Sequence, residues 1–464
     1  MIRVQFDVVV KDTEPVYYRA YLPDSSIWRW GLALDTSLRW ISRPVVSLFR
    51  HKLHRWLREI DWSNRMDCCG FEIRISRRSE ENIPIDICKL CETLTTHPNL
   101  DYLRDKVDTR ANRVICVVTN AEAELFRPRG TPMSCGYALP DLQVAIVVSD
   151  RPFTVLVDPQ SYYSEIVSTM LHETAHLIIS PWSQWATTRQ GKYLEEMACS
   201  YIEDVDNSRL LGCVAAYVSG TLPLPSHILQ LEQKLEFKLA SSVIVSLIVE
   251  RMGMERFCNA YLLRLRYPCL APLFECFTEI GIESPHDLDA AVANYLRENM
   301  DKFEPDRIAQ LSQYYSMKYA YELGDLPTAL SCSSALRDSR YDVEASLYRA
   351  STLIKLRRYE EALSCIEATL ECVSHPVPQS YLAIFGATVK RLLGCSKDYP
   401  SLILEYSRLY PISHLRMFNK QFKLLERSAR EWEKSRHDIL DFFGIVHFLS
   451  DDHVPRMVPN EPRM

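Results

Sequence analysis

Short apolar runs rich in β-branched residues alternate with turn-forming segments between about residues 112 and 157. The runs are RVICVVTN, LQVAIVVSD and FTVLVDP. Runs of this length and composition are typical of buried strands, so this part of the chain predicts one small sheet. A helical pattern follows, in which apolar residues recur every three or four positions at Ile166, Met170, Leu171, Ala175 and Ile178. Pro159 suits the first turn of that helix, and Pro181 suits its end.

The first 110 residues show a weaker pattern. MIRVQFDVVV and FEIRISR alternate between apolar and polar positions and are predicted to form strands. Between them, residues 37–60 carry Arg, Lys and His at helical spacing together with Trp and Leu. A basic amphipathic helix can bind a membrane surface or an acidic partner, but a surface helix with a solvated basic face is the favoured interpretation.

After residue 301 the pattern is helical and repeats every 33 residues, the separation of Ala329 from Ala362. The segment ALSC recurs at these two positions, and Leu323 recurs as Leu356. This resembles the tetratricopeptide repeat, although Arg357 stands where the first copy has a glycine. A degenerate third copy at 379–409 and a capping segment at 415–449 would extend the stack. The alternative is a plain α-helical domain with an accidental repeat.

Length and composition are those of a multidomain globular protein, with 464 residues, 47% hydrophobic and 25% charged. The patterns predict three parts: an α/β region at 1–110, the sheet-and-helix region at 111–300 and the helical repeats at 301–464. A formal net charge of -6 argues against a general nucleic-acid-binding protein.

Targeting signals are not evident in the sequence. The N-terminus has no basic region followed by a long apolar core, so no secretory signal is predicted. No apolar run is long enough to predict a membrane span. Without export, the 15 cysteines are expected to be mainly reduced, and a soluble cytoplasmic protein is the simplest interpretation.

Four cysteines invite comparison with a metal site. Cys88 and Cys91 form a C-x-x-C pair, and Cys68 and Cys69 precede them by some twenty residues. Because Cys68 and Cys69 do not form a second C-x-x-C pair, buried thiols are favoured over a second zinc site. A redox pair is expected less, since no thioredoxin-like pattern surrounds it.

The motif with the most chemistry is His172-Glu173-Thr174-Ala175-His176, which reads H-E-x-x-H. Residues four apart lie on one face of a helix, so both imidazoles can bind a single ion. Glu173 lies beside them, where it can take a proton from a metal-bound water. Three protein ligands with an open water position are the pattern of a catalytic zinc site.

With the helix predicted at 192–205, this motif resembles the gluzincin metallopeptidases, and most of all their aminopeptidase-N-like branch. The resemblance runs from about 112 to 300 and implies an α+β zincin-like domain before the repeats, with the chain mainly helical. It implies one Zn²⁺ per chain, held by His172, His176 and Glu195, with Glu173 as the catalytic base. Eighteen residues separate His176 from Glu195, and an alanine follows three positions later, as in the family's E-x-x-A segment. Glu196 is the competitor, directed about 100° away on the helix, and Glu195 is preferred over it.

Two departures from the family bear on activity. The branch has a tyrosine that holds the oxyanion where this chain has Phe237, leaving Tyr137, Tyr193 and Tyr201 as candidate donors. The chain also lacks the G-x-M-E-N segment that binds a substrate's amino terminus. CGYALPDLQVAIVV at 135–148 is expected to form an edge strand that pairs with an extended peptide, which favours an endopeptidase.

The resemblance implies a peptidase that cleaves a protein or peptide substrate, recruited or regulated through the helical repeats. One alternative is a weak or inactive zincin-fold scaffold, which the absent tyrosine supports. A regulatory protease that cuts one dedicated partner is a third interpretation. Retention of both histidines together with Glu173 and Glu195 argues against the scaffold, because a scaffold has no need of a general base.

Overall fold

The computed structural model describes most of the chain before residue 373, with some gaps. The described residues are 6–8, 16–18, 51–82, 85–104, 113–123, 136–139, 142–149, 159–179, 189–204, 207–230, 235–262, 276–337, 339, 341–372, and the single residues 386, 389, 390, 393 and 457. They are mainly helical with one small mixed sheet, which confirms the predicted α+β class at that level.

Among the described residues, five of seven strands form one mixed sheet. The strands are β1 Phe6–Val8, β2 Val16–Tyr18, β3 Trp62–Cys68, β4 Phe71–Ser76, β5 Arg113–Val118, β6 Gly136–Leu139 and β7 Val144–Val148. The order in the sheet is β3-β4-β5-β7-β6. The inner strands β4, β5 and β7 run parallel, while β3 and β6 pair antiparallel at the two edges. The separate pair β1 and β2 is antiparallel.

The central strands β5 and β7 are buried along their whole length. Their near-continuous apolar composition is what a parallel strand covered on both faces requires. Two of the predicted runs, RVICVVTN and LQVAIVVSD, therefore form strands as expected. Residues 153–158 of the third run lie outside the described ranges.

Helical residues 51–59 cover one face of the sheet. Leu53, Trp56 and Leu57 are buried in the same apolar cluster as Val114 and Ile146. The indole nitrogen of Trp56 also donates a hydrogen bond to a backbone oxygen, that of Glu122, at 2.9 Å. The basic side chains of this stretch are exposed: His51, Lys52, His54, Arg55 and Arg58. Within 51–59 the basic residues thus form the solvated face that the sequence predicts.

The remaining helices connect and follow the strands. They are α1 Arg77–Asn82, α2 Ile87–Thr96, α3 Pro98–Arg104, α4 Asn120–Ala123, α5 Pro159–Ile179, α6 Arg189–Ile202, α7 Ser208–Val218, α8 Leu235–Met252, α9 Met254–Phe257, α10 Pro285–Asn299, α11 Pro305–Glu322, α12 Leu326–Ala335, α13 Asp342–Lys355 and α14 Tyr359–Cys372. Shorter turns of 3-10 and π helix occupy Pro225–Gln230, Met300–Lys302 and Cys258–Leu262. None of the described helices is long and apolar enough to cross a membrane.

Contacts group the chain into two compact units. The first comprises 1–150, 166–206 and 241–288, and the second 151–165, 207–240 and 289–464. The mixed sheet and α6 belong to the first unit, and helices α11–α14 belong to the second. The predicted boundary at residue 110 falls between β4 and β5, which are neighbours in one sheet. The three-part division of the chain stays a prediction.

Helices α11–α14 form two successive hairpins with the spacing that the sequence repeat predicts. Helix α11 ends at Glu322 and α13 ends 33 residues later at Lys355, while α12 begins at Leu326 and α14 begins at Tyr359. Ala329 and Ala362, the repeated small residues, are both fully buried. The assignment to the tetratricopeptide family stays a prediction, and the third copy and the cap lie almost entirely outside the described residues.

The repeat also aligns two turn residues of different type. Gly324 and Arg357 occupy the same repeat position, and both have positive φ, at 77° and 59°. The left-handed region costs a residue with a Cβ about 1–2 kcal/mol, whereas glycine adopts it readily. The second hairpin therefore makes the same left-handed turn as the first, although Arg357 is strained in that conformation.

We expect Gly324→Ala and Arg357→Gly to change stability in opposite directions. The alanine has open space around its Cβ, so it lowers the free energy of unfolding through backbone strain alone, by about 1 kcal/mol. Arg357→Gly relieves the strain and raises the free energy of unfolding by a smaller amount, since glycine also gains entropy in the unfolded chain. Equilibrium denaturation followed by circular dichroism measures both. Arg357→Ala keeps the Cβ and is the control; an equal gain there would contradict the strain argument.

Candidate metal centre

Helix α5 carries the H-E-x-x-H motif and begins at Pro159, as the sequence predicts. Its apolar positions from Ile166 to Ile178 are buried, which fixes the face that each motif residue presents. Residues 180–188 lie outside the described ranges, and with them the predicted end of the helix at Pro181. The motif therefore occupies the last described turns of a long helix that is mainly buried from Ile166 onward.

The two histidines of the motif lie on one face of α5. The Nε2 atoms of His172 and His176 are 3.2 Å apart, and the ring centroids are separated by 4.9 Å. This follows from their spacing, because residues four apart stack along a helix. The two imidazoles thus direct nitrogens at one point.

Glu196 on α6 faces that same point. Its carboxylate oxygens lie 3.5 Å from Nε2 of His172 and 3.6 Å from Nε2 of His176. Among the described residues, these three form the one group whose metal-ligating atoms all lie within 4.8 Å of one another. The group joins two imidazole nitrogens and one carboxylate, which is the donor set of many catalytic zinc sites.

The other ring nitrogens contact two further carboxylates. Nδ1 of His172 lies 3.1 Å from Oε2 of Glu203, and Nδ1 of His176 lies 2.7 Å from Oε1 of Glu195. A neutral imidazole that donates its Nδ1 proton keeps the lone pair of Nε2 for a metal. Glu195 therefore orients His176 through a hydrogen bond, and Glu203 lies within ion-pair distance of His172, both on the side away from Glu196.

This geometry favours Glu196 over the third ligand preferred from the sequence. The sequence analysis favours Glu195 on residue spacing, but the structure places Glu195 at the outer nitrogen of His176 and Glu196 between the two inner nitrogens. Spacing along the chain does not specify the rotation of α6 about its axis, and the two glutamates differ by about 100°. Residue count alone could not separate them.

Two residues of the cluster, Glu203 and Cys199, were not identified from the sequence. A signal for them exists, because Glu196, Cys199 and Glu203 recur at spacings of three and four on one face of the helix predicted at 192–205. Cys199 is fully buried beside His176, and burial raises the pKa of its thiol to about 12. A row of acidic residues on an otherwise buried helix would have indicated the face that meets the histidines.

The electrostatics of the cluster favour positive charge at its centre. Burial lowers the pKa of His172, but Glu203 and Glu196 outweigh it and the pKa is raised. Burial likewise lowers the pKa of His176, while Cys199 and Glu196 oppose it and leave the pKa well above its usual value. Burial raises the pKa of Glu196, but the two imidazoles outweigh it and hold the pKa well below its usual range. The carboxylates around the two imidazoles thus stabilise positive charge between the helices.

Glu173 lies where α5 meets the edge strand β6. It is buried, and a Cβ added at Gly136 would lie 3.0 Å from Cγ of Glu173 and 2.8 Å from Cγ2 of Thr169. Only glycine permits this close approach. Among the described residues β6 lies at one edge of the sheet, whereas the second half of the predicted edge segment 135–148 forms β7, which is an inner strand.

The tyrosines considered as oxyanion donors are not equivalent. The hydroxyl of Tyr137 on β6 donates to the backbone oxygen of Ala123 at 2.8 Å, so it is committed elsewhere. Tyr201 is partly exposed, and burial raises the pKa of its hydroxyl. The side chains of Tyr193 and Phe237 lie outside the described residues. Tyr201 stays the candidate among the described residues.

Comparison with known proteins identifies no family for this chain. No protein-family model, no curated protein and no solved structure matches the chain. The resemblance to gluzincin metallopeptidases rests on the sequence motif, and a functional assignment depends on the arrangement of side chains on α5 and α6.

Proposed function

We propose that the chain is a zinc-dependent peptidase in which His172, His176 and Glu196 hold the metal and Glu173 is the general base. The convergence of two Nε2 atoms and one carboxylate within 4.8 Å carries the proposal. Two core histidines held by ordinary hydrogen bonds would not need an acidic residue on the second helix between their inner nitrogens. Glu195 and Glu196 of α6 and Glu203 directly after it instead surround both imidazoles.

The donor set fits zinc better than the alkaline-earth ions. Calcium and magnesium prefer sites made of oxygen ligands, whereas imidazole nitrogen suits zinc and other transition metals. The carboxylates at both Nδ1 atoms match the outer partners that metal-binding histidines usually have. Three protein ligands leave a fourth position for water, as in a catalytic site.

The proposed chemistry divides between the metal and the chain. When bound, zinc polarises the scissile carbonyl and lowers the pKa of a water molecule at neutral pH. Glu173, one residue after the first ligand, accepts the proton of that water and returns it to the leaving amine. Glu173 and His172 are both buried, so the proton moves in a site with restricted access to bulk water.

The edge strand β6 supports an extended peptide as substrate. An exposed edge offers backbone donors and acceptors with which a peptide can pair as an added strand. Because Gly136 packs against α5 at Glu173, a peptide paired along this edge passes close to the base. Pairing through the backbone places no demand on a free amino terminus, which favours an endopeptidase.

The helical hairpins α11–α14 are proposed to recruit or regulate the substrate. Stacked helix pairs of this kind present extended surfaces that bind peptides or protein partners. Their contribution is separable from the chemistry, because no proposed ligand or base lies on them.

Metal removal tests the proposed function. The full chain should release peptide fragments from a cell extract, lose this activity with a chelator and regain it with added zinc. A His172→Ala/His176→Ala variant should bind one zinc fewer per chain than the wild type. Zinc bound equally by both proteins would refute the site. If the variant loses zinc but the wild type cleaves no peptide, the inactive scaffold is favoured instead.

A further inference from the structure

Four cysteines that are distant in sequence lie together at one end of β3. Cys68 is the last residue of this strand and Cys69 is in the turn that follows. Cys88 and Cys91 lie in the first turns of α2. None of the four forms a disulfide. A hairpin turn and a helix start thus bring two pairs of thiols to one place.

The hairpin turn presents its cysteines in an unusual conformation. Cys68 pairs with Phe71 across a two-residue turn in which Cys69 and Gly70 both have positive φ, at 48° and 82°. Cys69 is the costly residue there, because a side chain in the left-handed region is strained by about 1 kcal/mol or more. The turn directs its thiol to the surface.

The thiols form a connected cluster. Sγ of Cys68 lies 3.4 Å from the backbone oxygen of Cys91, which joins the strand end to the helix. Burial raises the pKa of the Cys68 thiol to about 12, and the thiols of Cys91 and Cys69 beside it add to the shift. Cys91 in turn has the thiols of Cys68, Cys88 and Cys69 as neighbours. Each thiol therefore has at least one other within interaction range.

The exposures of the four residues argue against simple core packing. Cys68 is buried and Cys91 is partly buried, but Cys69 and Cys88 are exposed. A cysteine that serves as a small apolar residue belongs in the core, where free thiols are usually found. The interpretation favoured from the sequence, four buried thiols, is therefore wrong for two of them.

We propose that Cys68, Cys69, Cys88 and Cys91 bind a second zinc ion as four thiolates. Four thiolates form a closed structural site that clips the β3–β4 hairpin to the start of α2. Cys88 and Cys91 are one helical turn apart on one face, so both can reach one ion. The ion is independent of the one proposed for the peptidase and takes no part in cleavage.

The four sulfurs must move closer to one another for the site to form. Among the described residues, the α5–α6 group is the one whose ligand atoms lie within 4.8 Å of one another, so the four sulfurs draw closer when the ion binds. Cys69 and Cys88 are surface residues and can adjust their side chains without disturbing the core.

Cobalt substitution distinguishes the two metal sites. Co²⁺ bound by thiolates shows an intense charge-transfer absorption in the near ultraviolet, which a site of two imidazoles and a carboxylate does not. We expect this band in the cobalt-loaded wild type and in His172→Ala/His176→Ala. The exposed pair Cys69→Ser/Cys88→Ser should lose the band and bind one zinc fewer per chain. Cys372→Ser, another exposed cysteine on α14, is the matched control and should keep both.

The outcomes separate this proposal from the peptidase. A thiolate band and zinc content unchanged in Cys69→Ser/Cys88→Ser would overturn the cysteine site. The cysteine site would also be overturned if the metal-free wild type contained a disulfide among the four residues and the reduced protein still bound no zinc there. If cleavage fails but the band behaves as expected, the peptidase proposal fails by itself.

Discussion

Glu173→Gln is expected to slow peptide cleavage by about 10²–10⁴-fold, the usual contribution of a general base, while zinc stays bound. The carboxamide has nearly the same volume as the carboxylate, so the contact with β6 at Gly136 is preserved. It cannot accept the proton of the attacking water. Initial cleavage rates and zinc content measured on the same preparation test the expectation, with the substrate taken from a cleavage profile of cell extract.

The control for this change is Glu298→Gln, which alters an exposed glutamate on α10. It should leave both the rate and the zinc content as in the wild type. Unchanged cleavage by Glu173→Gln would exclude Glu173 as the base. Loss of zinc together with activity would mean that Glu173 is a ligand.

Glu196→Gln is expected to weaken zinc binding more than Glu195→Gln or Glu203→Gln. Glu196 lies at the inner nitrogens of both histidines, while Glu195 and Glu203 contact the outer ones. Loss of an outer partner typically costs about 10–100-fold in metal affinity, and we expect loss of the ligand itself to cost more. Competition with a chelator at fixed pH measures the three affinities.

The three variants are matched because each replaces one carboxylate, on α6 or directly after it, by a carboxamide. If Glu195→Gln shows the largest loss, then the family spacing of eighteen residues identifies the ligand and the geometry of α6 described above does not. Equal losses in all three would mean that the carboxylates act as one charge cluster, with no ligand among them.

The sequence was most informative where one periodic pattern covers a whole element. VICVV is apolar at every position and lies in a strand that is buried at every position, and the apolar positions of α5 are buried as their spacing requires. The 33-residue repeat likewise anticipates where α11 and α13 end. In each case the information is local, because the spacing of apolar residues within one segment determines which secondary-structure element it forms.

The third ligand could not be predicted in this way. Glu195 and Glu196 are neighbours with identical chemistry, and the choice between them depends on how α6 rotates against α5. The four cysteines posed the same problem, because the proximity of Cys68 to Cys91 depends on how α2 packs at the end of β3. Such contacts depend on tertiary packing, and the residue spacing within a single segment does not predict them.

The β3–β4 hairpin has a consequence for how the sheet assembles. Its two-residue turn joins strands that are adjacent in sequence, so this pair can form within microseconds of the start of folding. The parallel pairing of β4 with β5 must wait for closure of a segment of about forty residues, which slows it. Cys68 and Cys91 are only about twenty residues apart, so closing the loop between them costs less conformational entropy. An ion held by the cysteines would therefore join the hairpin to α2 early, before the parallel strands that carry the rest of the sheet have found their register.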